Sequence, residues 1–111
     1  MEKGHYTVRI TLSQAKVYNR IPKGKRKDWI LRLQKVLSEE QIKRLATVQE
    51  RITAIPPTIV EKKQIMSPEG VVEEVPREVF LAFFGLIAEL LEKHLDVDKA
   101  YEELKNILFK W

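Results

Sequence analysis

The chain has 111 residues and no cysteine. Disulfides, thiolate zinc sites and a cysteine nucleophile are therefore excluded. Only two histidines occur, His5 and His94, and neither has a second ligand at metal-binding spacing, so no metal site is expected. The three serines, Ser13, Ser38 and Ser67, each fall where a helix cap or a turn uses them. The four glycines stand isolated, so no phosphate-cradling loop is present. The carboxylate pairs Glu39-Glu40, Glu73-Glu74 and Glu102-Glu103 are adjacent, and adjacent side chains diverge on a helix or strand. No catalytic residue and no cofactor are expected from this set, and an enzyme is the least supported class. No apolar run has the length of a membrane span and the N-terminus lacks an apolar signal core, so the expectation is a soluble, cytoplasmic protein without a membrane partner.

What is present is a composition 44% hydrophobic and 32% charged, enough for a small core and inconsistent with disorder. Abundant Lys, Glu and Ile give a thermophile-like balance. The net charge of +4 is unevenly placed. Residues 1–37 hold ten Lys and Arg against Glu2 and Asp28, a local net of +8, whereas residues 38–111 hold ten basic against fourteen acidic residues, a net of −4. A basic N-terminal segment of this density suits a polyanion such as DNA.

The pattern reads as α+β, mostly helical. Tyr6, Val8, Ile10 and Leu12 alternate with His5, Thr7, Arg9 and Thr11, the period of a half-buried strand. Ser13 is placed to cap a short helix from Gln14 to about Arg20, with Val17 and Ile21 on its inward face. After Pro22 and Gly24 a second helix begins near Arg26, with Trp29, Ile30, Leu33, Val36 and Leu37 at helical spacing. Trp29 heads that apolar stripe and reads as core. Ser38 and Gln41 form a capping-box pattern for a third helix, although one long bent helix over 28–54 is an alternative; Pro56-Pro57 ends either. Thr58–Met66 and Val71–Val75 flank Ser67-Pro68-Glu69-Gly70 and read as a β-hairpin. Pro76 opens the next helix, the most apolar of the chain, in which Phe80, Phe83 and Phe84 read as core or oligomer interface. Asp96 or Asp98 caps a last helix that runs toward Trp111.

One strand and two helices in about 35 residues cannot fold alone, and the strand has no partner within its own segment. With Val8-Arg9-Ile10-Thr11-Leu12 as ribbon, Ile21-Pro22-Lys23-Gly24-Lys25-Arg26 as inter-helix turn and Trp29–Leu37 as second helix, residues 5–37 resemble the ribbon-helix-helix family of DNA-binding proteins. That resemblance implies a homodimer, or a higher homo-oligomer, whose two chains pair their strands and bury Val8 and Ile10 between them. The paired strands would enter the major groove of double-stranded DNA. By position, Thr7, Arg9, Thr11 and His5 would contact bases. Lys3, Lys23, Lys25, Arg26 and Lys27 would contact phosphates around the N-terminus of the second helix. The family often has Ser or Thr at the start of that helix, where this chain has Lys27-Asp28.

Residues 1–37 thus read as a DNA-binding segment and 38–111 as an accessory module. That module adds oligomer contacts through Phe80, Phe83 and Phe84, or takes a protein partner. The functional expectation is a sequence-specific repressor, or a plasmid or viral copy-control or partition factor. One alternative is a subunit of a nucleoprotein complex that docks through its basic face. Another is a winged-helix DNA binder with 38–55 as recognition helix and 58–75 as wing.

Overall fold

The computed structural model describes residues 5–54, 62–67 and 71–109, the side chains at positions 62 and 72 excepted. Expectations for Lys3, for 55–61 (the proline pair included), for the turn at 68–70 and for Trp111 lie outside these residues. The elements are β1 (Thr7–Thr11), α1 (Leu12–Arg20), a 3-10 turn (Lys23–Lys25), α2 (Arg26–Val36), α3 (Glu39–Ala54), β2 (Lys62–Met66), α4 (Val71–Glu74), α5 (Arg77–His94) and α6 (Val97–Phe109). The chain is mostly helical, with a two-stranded antiparallel sheet formed by β1 and β2.

β1 alternates as its sequence requires: Val8 and Ile10 are buried, while Thr7 and Arg9 are exposed. The cap of α1 is Thr11, not Ser13. Its Oγ1 accepts from the Gln14 N–H at 3.1 Å, and Gln14 Oε1 accepts from the Thr11 N–H at 2.8 Å. This capping box sits two residues earlier than expected because Gln14 at the third helical position completes it from both sides. At Ser38 the expected box forms, with Gln41 N–H to Ser38 Oγ at 3.2 Å and Ser38 N–H to Gln41 Oε1 at 3.0 Å. Leu37 is extended, so α2 and α3 are separate helices. Pro76 is the cap of α5 and not its first residue. Asp96 starts α6, its Oδ1 accepting from the N–H groups of Asp98 and Lys99.

Two expectations are corrected. The hairpin of 58–66 with 71–75 does not form. β2 pairs instead with β1, in the register Thr7 to Met66, Arg9 to Gln64 and Thr11 to Lys62, and 71–74 is helical. Val71 and Val75 lie four apart and both are buried, a spacing that a helical turn and a strand each place on one face; the Val75 N–H donates to the Val71 carbonyl at 2.9 Å, which closes a helical turn. Ser67 closes the sheet: its N–H donates to the Tyr6 carbonyl at 2.7 Å and its Oγ accepts from the Tyr6 N–H at 3.0 Å.

The second correction concerns completion of the sheet by a second chain. β1 has its partner within its own chain. Its other edge is covered by side chains: the Thr7 carbonyl accepts from Arg77 at 3.2 Å and the Arg9 carbonyl accepts from Gln49 Nε2 at 2.8 Å. The Thr11 N–H is taken by Gln14. The backbone groups of a strand edge invite pairing, and here three of them are already bonded.

The core centres on α5, which packs against α1, α2, α3 and α6. Phe80, Phe83 and Phe84 are wholly enclosed and mutually edge-on, with ring centroids 5.2 and 5.7 Å apart for the 80–84 and 83–84 pairs. Tyr18 reaches Phe84 at 5.0 Å. Val8, Ile10, Phe80, Phe83 and Phe84, expected at an oligomer interface, are therefore core residues of the single chain, because α5 fills the space a second chain would occupy. The same buried cluster runs across position 37, joining Ile21, Ile30 and Leu33 to Leu45, Ile87 and Leu104.

Beneath the strand lies a polar knot. Gln14 and Gln49 are fully buried. Gln14 Nε2 donates to Gln49 Oε1 and to the Phe84 carbonyl, both at 2.7 Å, while Gln49 Nε2 reaches Arg9. Among the described residues no buried side-chain polar atom lacks a partner.

Candidate nucleic-acid interface

The outer face of the ribbon carries side chains from both strands. In an antiparallel pair, directly opposed residues point to the same side. Arg9 and Gln64 are opposed, as are Thr7 and Met66, and all four are exposed. A surface cleft of about 340 Å³ adjoins them, lined by Thr7, Arg9, Gln64, Arg77, Glu50 and Thr53 among others. Arg77, at the first position of α5, is held toward β1 by its bond to the Thr7 carbonyl.

Of the residues expected at bases, Thr7 and Arg9 lie on this outer face. Thr11 is half-buried and committed to the α1 cap. His5 is exposed at the end of the ribbon, its Nδ1 3.1 Å from the Ser67 carbonyl oxygen. Gln64 and Arg77 were not singled out by the sequence. Gln64 carried a signal, the alternation with Ile65 in a strand-forming run, but its strand partner did not.

The expected phosphate contacts divide into two groups. Arg26 is engaged with the fold: its guanidinium lies 4.6 Å from the Tyr18 ring centroid, Nε donates to the Ile21 carbonyl at 3.2 Å, and Nη2 donates to Asn19 at 3.3 Å. Burial pushes the Tyr18 hydroxyl pKa up, and the nearby guanidinium partly offsets this. Lys27 pairs with Glu74, and that hydrogen bond raises its pKa. Arg20 similarly pairs with Asp98. Lys23 and Lys25 are exposed on the 3-10 turn and make no ion pair among the described residues. The cleft beside Lys25 shares no lining residue with that beside Arg9. The basic segment of the sequence is thus partly consumed by intramolecular contacts and partly free.

The winged-helix arrangement loses its wing, since 62–66 and 71–74 do not pair with each other. The helix it would use for recognition, α3, turns Ile42, Leu45, Ala46 and Gln49 into the core, and Arg44 on its exposed side bonds Glu89 at 2.7 Å. Among the described residues no group of acidic or histidine side chains is placed to hold a metal, and no helix is long and apolar enough to cross a membrane. No protein-family model, no curated protein and no solved structure matches this chain.

Proposed function

We propose that the protein binds double-stranded DNA through the outer face of the β1–β2 ribbon, reading bases with Arg9 and Gln64. The supporting observation is the direct opposition of these two side chains on an exposed face, with Thr7 beside them. A two-stranded ribbon fits the major groove, where Arg pairs with guanine O6 and N7 and Gln with adenine N6 and N7. The reading departs from the ribbon-helix-helix arrangement in one respect: both strands come from one chain, so one molecule presents a complete ribbon. Arg77 beside the ribbon supplies positive charge for the flanking phosphates. Occupying DNA near its own promoter would make the protein a repressor, or a copy-control or partition factor.

The test is fluorescence anisotropy with labelled duplex from upstream of the gene, against a scrambled duplex, at two salt concentrations. The expected result is a preference of roughly a hundredfold or more for the upstream fragment. Arg9→Ala and Gln64→Ala should each lower it without altering the far-UV circular dichroism spectrum. Equal, steeply salt-dependent binding to both duplexes would reduce the role to phosphate-driven association. Absence of binding at low salt would overturn the proposal and turn the free cations into a docking surface for an acidic protein.

A further inference from the structure

A second cleft, of about 370 Å³, opens between the start of α2 and α6 and is walled by Trp29, Tyr101 and Phe109 together with Lys25, Asp28 and Lys105. We infer that it binds a nucleobase carrying a phosphate. Tyr101 and Lys105 are four apart on α6 and share one face, which is the face turned toward α2. Trp29 stacks on Tyr101 with centroids 5.6 Å apart and planes at 17°, and meets Phe109 edge-on at 5.3 Å. Arg32 fixes the far end, its Nε donating to the Leu108 carbonyl at 2.8 Å and its guanidinium lying 5.8 Å from the Phe109 ring centroid. The aromatic walls are therefore set in place before any ligand arrives: Trp29 backs the wall, and the half-buried Tyr101 and the exposed Phe109 offer the surface on which a base would lie.

Polar groups in the cleft are unsatisfied in a consistent way. Lys25 and Lys105 are exposed and form no ion pair among the described residues. Trp29 is only 5% exposed, yet its indole N–H has no acceptor among the described residues. An apolar groove filled by a protein side chain would not need two free ammonium groups, and both Lys25 and Lys105 line this one. A ring with attached phosphate uses all of them: the ring lies on the aromatic wall, the phosphate meets the lysines, and Asp28 accepts from an exocyclic amine or a sugar hydroxyl. This site is independent of the ribbon, with which it shares no lining residue.

Trp29 also reports on the site. With Trp111→Phe it becomes the only indole in the chain. Titration with adenosine monophosphate, and separately with an oligodeoxyadenylate of about eight nucleotides, is expected to quench its emission saturably. Lys105→Glu and Tyr101→Leu should each weaken binding roughly tenfold, in line with the loss of one stacking or phosphate contact. Lys35→Glu, elsewhere on α2, and Arg9→Ala should leave it unchanged. Quenching by the mononucleotide identifies a nucleotide site, and quenching by the oligonucleotide alone identifies a site for a single strand; both sustain the inference. It is overturned if neither probe gives a saturable change, if inorganic phosphate competes as well as the nucleotide, or if Lys105→Glu, a change at an exposed position, leaves affinity intact.

Discussion

Gly85 lies so close to Leu45 that a β-carbon at position 85 would sit 2.0 Å from the Leu45 carbonyl oxygen and 2.8 Å from its carbonyl carbon. The contact marks where α5 crosses α3, and the obstacle is helix backbone, which cannot rotate aside. Gly85→Ala improves intrinsic helix propensity by about 1 kcal/mol, but it must drive the two helices apart. The expected net effect is a destabilisation of about 1–3 kcal/mol, measured by urea unfolding. A variant as stable as the parent would show that α3 and α5 can separate at no cost.

The buried glutamines should behave as a unit. Gln49→Leu removes the donor to the Arg9 carbonyl and the acceptor for Gln14 Nε2. A loss of about 1–3 kcal/mol is expected, the usual penalty for stranding buried polar groups. Gln14→Leu should cost a similar amount, and the double variant less than the two losses together, because each single change also removes the one bond the two glutamines share. Strict additivity in denaturation experiments would refute the coupling.

Because β1 finds its partner in the same chain and side chains of Arg77, Gln49 and Gln14 bond its other edge, folding should not require association. The thermal midpoint is expected to stay constant over roughly a hundredfold range of protein concentration, since linked association would make it concentration-dependent. A midpoint rising with concentration would show that a second chain completes the fold.

The turn between α5 and α6 carries an acid-sensitive contact. Glu103 bonds His94 and also Lys93, and these bonds hold its carboxyl pKa below the ordinary value of 4.5. A depressed carboxylate stabilises the fold above its unfolded pKa, and that contribution is lost as pH falls through the lower folded value. The stability gap between the parent and Glu103→Gln should therefore be open at neutral pH and close progressively below pH 4.5. The gap should be modest, because the His94 and Glu103 side chains are 23% and 30% exposed. A gap that persists unchanged into strong acid would contradict the assignment.

Local chemistry was legible in the sequence wherever a few adjacent residues decide it. The alternation around Val8 and Ile10, the Ser38–Gln41 box and the cap at Asp96 all depend on neighbours within four positions. The pairing of β1 with β2 depends on residues 51 to 59 positions apart, and the β-branched run at 71–75 was an equally suitable partner for β2. Val71 and Val75 fit a helical turn and a strand about equally well until the core on one side of them is known. Gln14 and Gln49 illustrate the same limit for polar residues. Either would ordinarily lie at the surface, and only the arrival of Phe84 and Arg9 makes their burial favourable. For the candidate site, Arg9 and Thr7 were readable from the strand period. Gln64 and Arg77 were not, because they reach the ribbon through that long-range pairing. The N-terminal charge excess overstates the free positive charge, since Arg20, Arg26 and Lys27 serve contacts within the chain.

The long reach of β1 has a consequence for how the chain is made. The Tyr6 hydroxyl finds its acceptor at Val75, 69 residues later, and Gln14 finds one at Phe84, 70 residues later. At synthesis rates of roughly 5–20 residues per second, the first strand and helix leave the ribosome seconds before α5 exists to cover them. Val8, Ile10, Tyr18 and Ile30 are then a sticky nascent surface with no native place to go. The contacts that cover the N-terminal half thus form only as the last third of the chain emerges.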